Sequence, residues 1–193
     1  MAEEDVSWDW VYKQNHESHA FWHIHWISKA NDLFLSAKVL EPHVLQYWTE
    51  CEKASQMPQP RFPSDNYTGT YFMLIAFCVE NYLKALIVRE NSLIFKESFR
   101  NDQSFFPKAL QTHDLFKLAN NQGFQYTHEE EDLLRRLSRC AIWAGRYPVP
   151  LKYTDGAGGT KFSDGNEYSV SWFGSTDVVR LCALVDKIKK LLG

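Results

Sequence analysis

The apolar positions of this chain recur mostly at helical spacing. From Trp22 to about Trp48, residues Trp26, Ile27, Ala30, Leu33, Phe34, Ala37 and Leu40 return every three to four positions, which predicts a long first helix with one buried side. Pro42 is a candidate break within it, and Pro58, Pro60 and Pro63 mark a loop that no helix crosses. A second helix is predicted over roughly Tyr71 to Arg89. It is apolar on nearly every side, which makes it the expected centre of the molecule. A polar, aromatic connector from Glu90 to Gln111 then leads to a short helix starting near Thr112 and ended by Gly123.

Thr127-x-x-Glu130 forms a capping box, and Glu129 and Glu131 complement the dipole of the helix that it opens. Leu133, Leu134, Leu137, Ala141 and Ala144 face inward, and Gly145 and Pro148 close the helix. From Val149 to Gly174 the pattern changes. Gly156, Gly158, Gly159, Gly165 and Gly174 punctuate the segment, and Tyr168 to Trp172 alternates like a short strand, so it is a flexible loop or a small hairpin. Ser175 or Thr176 caps a last helix with Val178, Leu181, Val185, Ile188 and Leu192 inward and Lys187, Lys189 and Lys190 near its negative end. The expectation is an all-α bundle of about five helices in one domain over residues 1–193, with one irregular excursion before the last helix.

Composition narrows the function classes. The 193 residues are enough for one domain with a sizeable core, and 45% apolar and 15% aromatic content argues against disorder. A net charge of −3 removes any global basic field, so contact with RNA has to be local, and nothing points to DNA. The longest uninterrupted apolar run, Tyr71 to Val79, falls far short of the ~20 residues that span a bilayer. Ala2-Glu-Glu-Asp5 has neither the charge nor the apolar core of a signal peptide. The reading is a soluble cytoplasmic protein without a membrane partner. Cys51, Cys78, Cys140 and Cys182 are scattered, with no C-x-x-C pair, and behave as small hydrophobes rather than zinc ligands or disulfides. No cofactor is implied.

A few polar residues stand out against this apolar background. Glu80 and Lys84 are four apart with the glutamate first, either a satisfied structural ion pair or the flank of a pocket that orients Arg146 or His113. His113 and Asp114 lie at a predicted helix N-terminus, where they cap the helix or, with its free N–H groups, hold an anion. Arg146-Tyr147-Pro148 follows a helix end. Arg146 caps carbonyls, pairs with Glu80, or meets a phosphate, with Tyr147 available to stack on a base. Arg135, Arg136 and Arg139 form the densest basic cluster, read first as a face paired with the preceding glutamates and second as an RNA-backbone footprint. His16, His19 and His23 share one side if the first helix extends that far back. They are read as aromatic packing or partner contact before metal binding.

Four of these landmarks, taken in order, resemble the HEPN domain: Trp26-Ile-Ser-Lys-Ala-Asn-Asp-Leu33 followed by Ala37, Glu80-x-x-x-Lys84-Ala-Leu86, His113-Asp-Leu115, and Arg146-Tyr-Pro148. The resemblance covers residues 20 to 192, with residues 1–19 as an N-terminal extension and the 49–69 loop and 149–174 excursion as additions. It implies a helical bundle that forms a homodimer with its groove at the dimer interface. Relatives of this kind occur among RNA-cleaving toxins, defence proteins and nucleotide-binding modules. Their catalytic branches place four to six residues between an arginine and a following histidine and cut RNA without metal. None of the eight arginines here is followed by histidine at that distance; after Arg146 the eligible positions are Leu151, Lys152 and Tyr153. The resemblance therefore implies a nucleotide- or RNA-associated binding protein with a degenerate site, with Arg146, Tyr147, His113, Lys84 and Glu80 as the ligand-binding set. An endoribonuclease with a rearranged site and a protein-interaction module are the competing readings.

Overall fold

The axis of the fold is the helix that the sequence marks as most apolar. The computed structural model describes residues 8–150, 152–153, 159–169 and 173–193. Within these, α1 spans Trp8–Phe21, α2 His23–Ser55, α3 Thr68–Asn101, α4 Leu115–Asn121, α5 His128–Arg139 and α6 Ser175–Leu192. Among the described residues the structure is all-α apart from a two-stranded hairpin, and α3 contacts every other α-helix. By length and composition α3 could cross a membrane, but 78% of its most apolar 18-residue window is buried inside the bundle.

The long helices run further than the sequence predicts. α2 continues through Pro42 to Ser55. Ala37 and Val44, on either side of the proline, are both fully buried against α3, and this packing outweighs the lost backbone bond, an effect of about 3 kcal/mol. Asn31 accepts from Tyr82 and Glu41 from Tyr71, so the two helices run antiparallel. α3 continues to Asn101, through the first half of the segment expected to be a connector. Phe95 and Phe99, one turn apart, pack on Phe21, and Ser92 donates to the Phe21 carbonyl, so α1 holds these extra turns in place. α1 itself lies in the expected N-terminal extension. Trp22, extended at φ −116° and ψ 112°, separates it from α2, so His16 and His19 do not share a helix with His23.

The later elements follow local signals closely. Asp114, not His113, caps α4 by accepting from Lys117, and Gly123 closes its end at φ +62°. Both bonds of the Thr127–Glu130 capping box are formed. α5 runs into a π-helical turn at Cys140–Ala144. The excursion contains a hairpin of β1 (Gly159–Lys161) and β2 (Glu167–Ser169), antiparallel, with Thr160 opposite Tyr168. Leu151, Gly156, Gly158 and the Val170–Trp172 end of the expected strand lie outside the described residues. Neither Ser175 nor Thr176 caps α6. Gly174 occupies the N-cap, and Asp177 reaches back to accept its N–H at 2.9 Å.

Candidate functional site

Met73, Phe77, Glu80, Asn81 and Lys84 are three to four residues apart on α3 and project from one side of it. Segments far away in sequence dock on this side. Gly145 lies so close to Met73 that a Cβ there would fall 2.5 Å from the Met73 Cβ, which is why glycine is needed. The Arg146 guanidinium sits 5.9 Å from the centroid of Phe77. His113 meets Glu80, and the Trp26 ring lies 5.8 Å from the Lys84 ammonium. All four landmark segments thus converge on about three turns of one helix.

The centre of this face is a buried ion pair. Lys84 Nζ donates to Glu80 Oε1 at 2.7 Å, and the side chains are 5% and 7% exposed. Glu80 Oε2 lies 2.9 Å from His113 Nδ1, so each carboxylate oxygen has a donor. The His113 side chain is 47% exposed. Because a carboxylate only accepts, Nδ1 carries the hydrogen, and Nε2 makes no hydrogen bond among the described residues. Backbone bonds hold the loop in place: Asp114 N–H donates to Thr112 Oγ1 and Leu115 N–H to Ser138 Oγ on α5. His113 is therefore a surface imidazole aligned by a buried carboxylate.

Arg146 reaches the same face by a different route. The π-turn closes with Gly145 N–H on the Cys140 carbonyl, and Arg146 Nη2 then donates to the carbonyls of Ala141 and Ile142 at 2.8 and 2.6 Å. It makes no pair with Glu80, whose oxygens are taken by Lys84 and His113. The carbonyl-capping role is thus real. It uses one of the guanidinium nitrogens, and Nε and Nη1 have no partner among the described residues. Tyr147 beside it is exposed, its ring 5.6 Å from the guanidinium. Arg146 and His113 share the α3 face without bonding to each other.

The remaining candidates are structural. Arg135 donates twice to Glu131 and lies 3.8 Å over Phe116, while Arg136 is buried between Asp132 and Asp177, which leaves Arg139 alone of the basic cluster outside these pairs. His16 packs among Phe21, Phe99 and Phe106. Among the described residues no group of three or more histidine, cysteine or acidic side chains is placed to hold a metal ion. All four cysteines are free thiols, and burial pushes Cys78 and Cys140 up to about 12, which makes them poor nucleophiles. Sequence reasoning passed over Asn81, His25 and Lys29, which edge the same α3 face. Asn81 had a readable signal, since it stands four residues after Phe77 and next to Glu80.

The fold and site thus define a class: an all-α bundle with a buried ion pair opening onto a surface histidine and a neighbouring arginine. No family model, curated protein or solved structure matches the chain.

Proposed function

We propose that this is a HEPN-like cytoplasmic protein that binds RNA or a nucleotide as a homodimer, without the family's usual ribonuclease site, in a defence or toxin–antitoxin setting. One observation carries the reading: the four segments that resemble HEPN landmarks, spread from Trp26 to Tyr147, meet on one face of α3. Together they offer ligand chemistry suited to a phosphate and a base. Arg146 has N–H groups to spare, Tyr147 presents a ring, and His113 presents Nε2. The absence of an arginine–histidine pair at the family spacing favours binding over cutting.

The endoribonuclease reading draws on one specific feature. His113 is held in one tautomer by a buried carboxylate, the arrangement that a general base for a ribose 2′-hydroxyl requires. A native gel with total tRNA and mRNA, run without metal beside a denaturing gel, separates the two readings. The expected result is RNA retarded by the wild-type protein, not retarded by folded Arg146→Ala, and intact on the denaturing gel. Cleavage lost in both Arg146→Ala and His113→Ala would establish the enzyme reading instead. RNA and nucleotides that never bind would overturn both.

A further inference from the structure

On the α2 side of the α3 face, a cleft of about 360 Å³ opens at the elbow between α1 and α2, with Asn81 of α3 as its far wall. Local geometry builds it. Trp22 turns the chain between the two helices, and this brings His19 from the last turn of α1 onto His25 in the first turn of α2. The two rings stack at 4.3 Å and 29°, and Trp22 meets His25 edge-on. Trp26 Nε1 donates to the Ala20 carbonyl at 2.9 Å, which fixes the indole against Lys84. Lys29 and Asp32 both line the cleft, and neither has an ion-pair partner among the described residues. A stacked aromatic pair, a spare ammonium and a spare carboxylate in one small cleft do not serve the packing of the core.

This cleft is connected to Arg146. Asn81 Nδ2 donates to the Phe77 carbonyl at 2.7 Å, and Phe77 is the residue beneath the guanidinium. Met73, Leu74, Phe77 and Asn81 are the half-buried positions of α3 between Tyr71 and Val88, so they form a seam leading from Gly145 to the cleft. From Phe77 to Asn81 is about 6 Å along the helix at 1.5 Å per residue. The cleft wall and the residue beneath Arg146 are therefore one turn apart on α3.

We infer that the cleft is a base-binding subsite for single-stranded RNA. An unpaired base packs against the His19–His25 stack, its 5′ or 3′ phosphate lies at Arg146, and Lys29 meets the next phosphate along. This rests on the RNA-binding reading above and extends it in two ways. The strand is single, because a base paired within a duplex is not free to enter. The contact depends on stacking as well as charge, because the chain's net charge of −3 supplies no general attraction for phosphate. Asp32 contributes an acceptor of the kind that recognises a ribose hydroxyl, the group that distinguishes RNA from DNA.

The test is fluorescence anisotropy with a labelled single-stranded RNA decamer, the same sequence as a blunt duplex, and the same sequence as single-stranded DNA. Wild type is compared with His25→Ala, Lys29→Ala and Arg146→Ala, each checked for folding by circular dichroism. Single-stranded RNA is expected to bind tightest, and His25→Ala to weaken it about tenfold. Lys29→Ala is expected to flatten the salt dependence by about 0.7 in log–log slope. If Arg146→Ala abolishes binding while both cleft variants bind as wild type, the subsite is overturned and the RNA-binding reading stands. Duplex or DNA bound as well as single-stranded RNA also overturns the subsite. No RNA bound by any form overturns the RNA-binding reading itself.

Discussion

Two of the buried ion networks among the described residues end differently. In one, Arg136 is bonded by Asp177 at 2.7 and 3.2 Å and by Asp132 at 2.6 Å, and Phe173 lies 4.6 Å from its guanidinium. Asp177 also accepts the Gly174 N–H, so the network ties α5 to the start of α6. The Arg136 atom left over, Nε, is buried and unpartnered. In the other, Glu80 divides its oxygens between Lys84 and His113, and His113 is half-exposed. Each has a buried carboxylate bonded to a buried cation at 2.7 Å. The Arg136 network uses its buried atoms to join α5 to α6, with Asp132 and Arg180 at its rim, whereas the Glu80 network ends on an imidazole that shares the α3 face with Arg146.

Removing one partner breaks either network in the same way. Arg136→Met and Lys84→Met each leave a buried carboxylate short of a partner, and each is expected to lose about 3–5 kcal/mol in urea unfolding. The paired replacements separate the two. Arg136→Met with Asp177→Leu is expected to regain part of the stability, because two apolar groups replace the buried pair while the Gly174 N–H loses its acceptor. Glu80→Leu with Lys84→Met should regain stability similarly, yet lose RNA binding, since His113 then has no carboxylate to align it. Binding retained by that double variant would show that the open network has no functional role.

A smaller effect is expected at Gly145. Gly145→Ala forces a Cβ onto Met73, with the Cys140 carbonyl 3.0 Å away, and is expected to destabilise by about 1–3 kcal/mol while moving Arg146 off Phe77. A variant with wild-type stability would mean that the π-turn has slack.

Acid should act on the clamp more gently. Burial pushes the Asp177 carboxyl up, but the Arg136 bonds, the Gly174 N–H and the nearby positive charges outweigh it and hold the group below the usual carboxylate range. The same holds for Glu131, where burial is outweighed by the bonds from Ser163 and Arg135. A carboxyl with a depressed folded pKa stabilises fully above its unfolded value and loses that contribution as pH falls through the folded one. The melting temperature is therefore expected to fall below about pH 4, and Asp177→Asn to make the fall shallower. An unchanged slope in that variant would remove Asp177 as a source of acid sensitivity.

Legibility in the sequence followed the range of the interactions. The Thr127–Glu130 box and the Gly123 terminus were readable because every atom involved lies within a few residues. The second half of α3 was not, because its polar and aromatic composition resembles a loop until Phe21 arrives from α1 to cover Phe95 and Phe99. Nor was α1, whose weakly amphipathic sequence is held on α3 by Phe21 and by the Glu17–Arg100 pair, 83 positions apart. Arg136 read as one of three surface cations because its acidic partner Asp177 is 41 residues away.

The sequence by itself determined the all-α class, the apolar central helix, and the caps and glycines that set where short elements start and stop. It also marked Glu80, Lys84, His113 and Arg146 as unusual, since charged groups in or beside apolar helices must find partners. Only the tertiary structure decided which partners they found. Glu80 went to Lys84 and His113, Arg146 to the carbonyls of its own helix end, and His19 to His25 across a helix break. Those choices depend on approach angles and on competition for a limited number of acceptor atoms, which no spacing along a single chain encodes.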